Sequence, residues 1–214
     1  MSFYLATAVI AYLLGSIPFG YILVRAFHGQ DVRDSGSGNI GATNVARSSP
    51  TLGVATLLLD AAKGWCAVWA AMLILDGTSH GFIDLRLQPM VALAALFAVI
   101  GHIFPVWLKF RGGKGVATSV GAFVTIVPKA VLFAIVIFLA IVAAFRYVSL
   151  GSIIAATSLP VLIYFLYVRT GWQTYAITAA AALAVALIII QHHENIRRLL
   201  AGTESRLALK RTRA

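Results

Sequence analysis

The sequence predicts an all-α, polytopic membrane protein with about seven transmembrane helices, and three observations carry that prediction. Of its 214 residues 60% are hydrophobic and only 11% are charged, where soluble domains run at roughly 45–50% apolar and about 25% charged. Mean hydropathy is +0.91, and the apolar residues fall into long runs. Of the 17 basic residues, set against 7 acidic ones, all but Lys63 collect at the ends of those runs or between them. A soluble chain so poor in charge would precipitate. The single cysteine, Cys66, lies inside an apolar run, so no intrachain disulfide forms. The five histidines are mostly scattered, with no Cys/His cluster of metal-ligand spacing; neither a metal nor a cofactor is expected.

Taken in order, the runs place spans near residues 3–24, 52–75, 90–107, 115–127, 130–145, 153–168 and 174–190, in one domain covering 1–214. A helix crosses the hydrocarbon core with about 20 residues, in a range near 17–25. The first three runs meet that length and the last four are short. The first run has no basic segment before it, and Arg25 follows it; it reads as a retained span rather than a cleaved signal. Within it, Ser16 and Gly20 form a small-residue pair flanked by Gly15 and Pro18, the pattern of close helix packing with a kink. The fourth and fifth runs are the ambiguous pair, since Pro128-Lys129 separates them by a single break.

Charge resolves that ambiguity. With seven spans, one side receives Arg25, Arg33, Arg47, Lys109, Arg111, Lys114, Arg146, Arg197, Arg198, Arg206, Lys210, Arg211 and Arg213, and the other only Arg86, Lys129 and Arg169, 13 against 3. Merging the pair gives 7 against 8 and drops Lys129 into mid-bilayer, where a cation is costly. Cytoplasmic loops carry the Lys/Arg excess. The expectation is a multi-pass membrane protein with its N-terminus outside and its C-terminus cytoplasmic. The loops 25–51, 108–114 and 146–152 and the tail from Gln191 then share the cytoplasmic face, and they are the segments rich in glycine and polar residues.

Three of these segments can carry chemistry. In Gly36-Ser37-Gly38-Asn39-Ile40-Gly41-Ala42-Thr43-Asn44-Val45-Ala46-Arg47, closely spaced glycines let backbone N–H groups turn toward one anion. Ser37, Asn39, Thr43 and Asn44 add neutral donors, and Arg47 adds a bidentate fork. In the segment from Gly101 to Thr118, Gly112, Gly113 and Gly115 surround Lys114 immediately before an apolar helix, a recipe for phosphate at a helix N-terminus. It is not an ATP-binding Walker A loop, because Leu108 and Gly115 stand where that pattern needs glycine and Ser/Thr. Lys109 and Arg111 read as anchors at the membrane surface, and His102 as a hydrogen-bonded structural residue. In the segment from His192 to Glu204, His192 and Asn195 share a helix face, while Glu194 and Arg198 are spaced as a surface pair.

Two smaller features complete the set. Asp60 and Lys63, one turn apart in the second span, would neutralise one another. Ser149 and Ser152 lie one turn apart at a helix start, placed to cap it or to hold a phosphate.

Together these segments resemble one family, the bacterial membrane acyl-phosphate:glycerol-3-phosphate acyltransferases. The likeness rests on residues 36–47, 101–118 and 192–204, with further similarity at 15–20, 59–64 and 146–152, and so runs in order along almost the whole chain. His193 is a mild variation at a place often basic in the family. The resemblance implies acyl transfer from acyl phosphate to the 1-hydroxyl of glycerol 3-phosphate, giving lysophosphatidate and phosphate, with no cofactor. For that reaction Lys114 and the backbone of Gly112, Gly113 and Gly115 are expected to take the acyl phosphate. Ser37, Arg47, His192 and Asn195, with help from Ser149 or Ser152, would hold glycerol 3-phosphate, and Gly38, Asn39, Thr43 and Asn44 complete the expected substrate contacts. None of the histidines is followed five residues later by Asp, the pairing of soluble-type glycerolipid acyltransferases. The proton acceptor is therefore His192 or a phosphate oxygen of a substrate.

Two rival readings use the same groups. A transporter for a phosphorylated molecule would place polar residues in mid-span, and here only Asp60 and Lys63 do so. A lipid-binding scaffold would use the tail residues Arg206, Lys210, Arg211 and Arg213 but leaves the glycine loops without a purpose. Nucleic acid is not an expected partner, because the cations flank membrane spans. Membrane lipids are, and docking of a soluble acyl-phosphate-producing enzyme on the tail is left open.

Overall fold

A computed structural model describes residues 2–75, 88–168 and 174–207. Arg86, Arg169, Lys210, Arg211 and Arg213 lie outside the described residues, as do most of two of the three expected outer loops. The described secondary structure is helical throughout: α1 (Ser2–Gly15), α2 (Phe19–His28), α3 (Ala42–Ser48), α4 (Pro50–Leu75), α5 (Gln88–Ile103), α6 (Val116–Val124), α7 (Pro128–Phe145), α8 (Val148–Ile163), α9 (Tyr175–Gln191) and α10 (His193–Leu200). Short 3-10 turns at Val32–Asp34 and Val106–Leu108 and a π turn at Tyr164–Val168 join or extend them. Among the described residues, five stretches are long and apolar enough to cross a membrane: Phe3–His28, Pro50–Ile74, Pro89–Leu108, Pro128–Phe145 and Val148–Val168. α9 reaches that length only when taken together with α10, from which it is bent by 58°.

Large apolar side chains such as Leu132, Phe133, Val136 and Leu139 on α7 and Leu57, Leu58 and Leu73 on α4 are exposed, as expected of surfaces solvated by lipid. Inside, helices meet through small residues. A β-carbon at Gly15 would lie 2.2 Å from the Ala98 carbonyl oxygen, and one at Gly101 2.3 Å from that of Tyr12, so α1 and α5 touch backbone to backbone. In lipid such contacts supply the dispersion that drives helix association. The α1–α2 break at residues 16–18 is the kink that Pro18 predicted.

The fourth expected span, 115–127, is the nine-residue α6, about 14 Å long at 1.5 Å per residue. It falls short of the length needed to cross alone. It is nonetheless separate from α7: Pro128 occupies the first turn of α7, and Lys129 is exposed there. The chain leaves the site face along α6 and returns along α7, because Arg146, at the far end of α7, accepts from Leu207 N–H at 2.7 Å beside the site. A pass this short survives because it is enclosed by protein. Thr118, Ala122, Phe123 and Val127 are fully buried, and a β-carbon at Gly121 would strike the Ala61 carbonyl of α4 at 1.8 Å. Irregular backbone at membrane depth is tolerated where protein covers it, and the N–H groups of Ile126 and Val127 both reach the Phe123 carbonyl.

Candidate active site

The first glycine segment is organised by Asn44. Its side chain is buried; Nδ2 donates to the carbonyls of Val32, Ser35 and Asn39 at 3.0, 3.1 and 2.9 Å. Its Oδ1 accepts from Ser37 N–H at 2.8 Å. Expected as a substrate contact, Asn44 instead spends its amide on the loop, since a buried amide must satisfy its hydrogen-bonding groups. Asn39 is likewise engaged: Oδ1 accepts from Gly41 N–H at 2.8 Å, and Nδ2 reaches the Gly112 carbonyl at 3.4 Å. That contact ties the first glycine loop to the second. Gly36 and Gly38 have φ of +62° and +66°, a region that L side chains rarely adopt. Ser37 is half-buried, while Thr43 and Arg47 are exposed; no protein partner occupies their side-chain donors among the described residues.

The second segment departs from expectation. Gly112 and Gly113 do not offer their N–H groups to a ligand. They donate to the Ile103 and His102 carbonyls at 3.1 and 3.0 Å, closing the C-terminal end of α5, whose last carbonyls lack partners within the helix. The donors left for an anion are Lys114 and the first turn of α6, entered through Gly115 at φ +86°. Lys109 and Phe110 upstream also have positive φ, 54° and 62°, an uncommon conformation for residues with a β-carbon. Lys109, Arg111, Trp107 and Phe110 are exposed, which agrees with the reading of the two cations as surface anchors.

Lys114 Nζ donates to Asn195 Oδ1, bridging the second and third segments. Asn195 Nδ2 donates to Glu204 Oε1 at 2.6 Å, Ser149 Oγ donates to the same oxygen at 2.7 Å, and Arg198 Nε reaches Oε2 at 2.7 Å. Glu204 is thus the acceptor on which three side chains converge. In the sequence it only closes the third segment; its separations from Ser149 and Asn195 carry no periodic signal. Ser149 does not cap α8 but serves this carboxylate. Ser152 is buried one turn further along α8. Glu194 and Arg198 lie 3.5 Å apart with Glu194 mostly exposed, the surface pair expected.

His192 stands at the bend between α9 and α10, 2% exposed. Its Nδ1–H donates to the Ile188 carbonyl at 2.8 Å, which leaves Nε2 with its lone pair. Burial, then the charge of Lys114, pushes the imidazole down to about 4, so it is neutral at pH 7. Burial also pushes the Lys114 ammonium down to about 8, with Glu204 and Glu194 opposing and Arg198 and Arg47 assisting. Glu204 sits below the ordinary carboxylate value: its hydrogen bonds to Ser149, Arg198 and Asn195 outweigh its own desolvation.

These contacts gather all three segments at one end of the helix bundle. They define a polytopic membrane protein with a glycine-lined site at one face that holds a lysine, an exposed arginine and a neutral histidine. The chain belongs to the glycerol-3-phosphate acyltransferase family, whose model matches residues 5–202. It is 44% identical over 203 residues to a glycerol-3-phosphate acyltransferase of Geobacter sulfurreducens, covering 94% of this chain and 96% of that one. Its counterpart in Anaeromyxobacter sp. is 48% identical over 197 residues, covering 92% of each. Among solved structures, the glycerol 3-phosphate form of PlsY (YgiH), an integral membrane glycerol 3-phosphate acyltransferase, superposes with a TM-score of 0.83 at 37% identity over 96% of both chains. The lysophosphatidic acid form gives 0.80 at 35% identity, over 96% of this chain and 95% of that one.

Proposed function

We propose that this glycerol-3-phosphate acyltransferase takes its acyl group from an acyl phosphate and delivers it to the sn-1 hydroxyl, releasing 1-acyl-glycerol 3-phosphate and phosphate. The observation that carries the reading is the Lys114–Asn195 contact. It sets one cation at the centre of the polar segments while leaving Arg47 exposed beside them, so two phosphates have two cationic partners. Lys114 and the first turn of α6 receive the acyl phosphate. Arg47, Ser37 and the Gly38 backbone, with His192 and Asn195, hold glycerol 3-phosphate.

In the reaction the sn-1 oxygen attacks the acyl carbonyl carbon, the carbon–oxygen bond to phosphate breaks, and the hydroxyl proton must leave. Phosphate is a good leaving group, so charge neutralisation by Lys114 and positioning supply most of the catalysis. His192 at about 4 is a weaker base than a phosphate monoester, whose second pKa is about 6. We therefore assign the proton to a substrate phosphate oxygen. His192 Nε2 aligns the hydroxyl as a neutral acceptor. The site face is cytoplasmic in this reading, on the positive-inside balance of the whole sequence, with the N-terminus on the opposite side of a bacterial inner membrane.

Purified protein in lipid would be supplied with palmitoyl phosphate and glycerol 3-phosphate, with acyl-CoA or acyl carrier protein thioester in parallel. Phosphate release that depends on glycerol 3-phosphate and yields lysophosphatidate is the expected result. Turnover with a thioester donor alone would overturn the donor assignment. Binding of glycerol 3-phosphate with no turnover on any donor would favour a transporter.

A further inference from the structure

The most deeply placed charges in the described structure lie beneath the site and take no part in the chemistry above. Asp60 and Lys63 on α4 and His102 on α5 are 1, 3 and 3% exposed. Asp60 Oδ1 stands 2.8 Å from Lys63 Nζ and 3.6 Å from His102 Nδ1. Lys63 Nζ also donates to the Ile17 carbonyl at 2.7 Å, in the break between α1 and α2. The Asp60–Lys63 ion pair and the Lys63–Ile17 hydrogen bond thus tie α4 to the break in the first span, and His102 Nδ1, without a hydrogen-bond partner among the described residues, faces that pair from α5.

The other edge of the imidazole meets the second glycine loop. A β-carbon at Gly113 would lie 1.9 Å from His102 Nε2 and 2.6 Å from Cε1, so the ring lies directly against Gly113. The Gly113 N–H is bonded to the carbonyl of the same histidine at 3.0 Å. His102 therefore holds Gly113 by backbone and by ring, one residue before Lys114. Ionisable groups inside a span are costly and tend to be functional, and a buried ion pair is a poor way to gain stability alone, since well-packed apolar residues often do as well.

We propose that His102, oriented by the Asp60–Lys63 pair, is a positioning residue for the glycine loop, setting the depth at which Gly113 passes and hence the point from which Lys114 meets its phosphate. The inference rests on the reading that this loop receives a phosphate. It requires only that His102 and Lys114 act on the same substrate.

The test is a double-mutant cycle in the full-length protein in lipid, with KM and kcat measured for each substrate and thermal unfolding followed alongside. His102→Asn keeps an amide near Asp60 but withdraws the ring from Gly113. It should raise the KM of one substrate and, through the displaced Lys114, lower kcat, together costing about 10- to 100-fold, the scale of a displacement near 1 Å, with the unfolding temperature changed far less. Gly113→Ala should be severely impaired in the native background and much less so beside His102→Asn, because the ring that its methyl would strike is gone. Equal losses from Gly113→Ala in both backgrounds would overturn the inference, as would an unchanged KM in His102→Asn. If His102→Asn fails to fold, Asp60→Asn combined with Lys63→Met leaves the ring without its orienting partner and should raise the same KM; native kinetics in that variant would also overturn it. Lys114→Ala, run in parallel, separates the two readings. A KM change for glycerol 3-phosphate in both His102→Asn and Lys114→Ala would overturn the acyl-phosphate assignment and leave the positioning role standing.

Discussion

Removing the ammonium of Lys114 is the perturbation whose size the structure constrains best. The group is held by Asn195, which is anchored by Glu204 at 2.6 Å, so Nζ is fixed before substrate arrives. A preorganised donor to developing negative charge is worth about 10²–10³ in kcat, or roughly 3–4 kcal/mol. Lys114→Ala should lose activity on that scale. Lys109→Ala should lose less than about fivefold, because an exposed cation near the membrane surface contributes at most about 1 kcal/mol. The pH profile supplies an independent check. Lys114 must be protonated to neutralise phosphate, and its ammonium lies at about 8 in the free protein. The profile of kcat/KM for the donor should therefore fall as pH rises through about 8, after subtraction of uncatalysed hydrolysis. In Lys114→Arg the guanidinium stays charged to above about pH 12, so that limb should vanish from the accessible range even where the rate is reduced. Equal losses from Lys114→Ala and Lys109→Ala, or a basic limb unmoved in Lys114→Arg, would refute the reasoning.

Other outcomes follow from the same geometry. If a substrate phosphate takes the proton, the acid limb of kcat/KM for glycerol 3-phosphate should lie near 6, the second phosphate ionisation; a limb near 4 that disappears in His192→Gln would instead make His192 the base. Glu204→Gln leaves Arg198 only the exposed Glu194 as a carboxylate partner and weakens the acceptor of Ser149 and Asn195, so thermal unfolding in detergent should show a loss of about 1–3 kcal/mol. Because the Glu204 carboxyl is held below its ordinary value, its contribution is present above about pH 4.5 and is lost as pH falls through the folded value, and the variant should lack that acid sensitivity. Asn44→Ala removes the four hydrogen bonds that shape the first loop, at about 1 kcal/mol each; proteolysis within residues 33–41 should accelerate, and the KM for glycerol 3-phosphate should rise.

Much of this protein was legible in one dimension. Hydropathy and charge along the chain specified a helical membrane protein, because lipid leaves helices and closed barrels as the spanning structures and each helix satisfies its own backbone locally. They also separated α6 from α7, since joining them would have buried Lys129. Lys114, His192 and Asn195 stood out by residue type beside glycines and at helical spacing, and the structure brings them together. Tertiary structure decided what those groups do with their hydrogen bonds. It closed the end of α5 with the N–H groups of Gly112 and Gly113, spent Asn44 inside its own loop, made Glu204 a hub and laid His102 against Gly113. These outcomes depend on partners such as Lys114 and Asn195, 81 residues apart, or Ser149 and Glu204, 55 apart. Periodicity is a property of neighbours within a few turns, whereas such pairings exist only once the path of the chain has carried both partners to the same face.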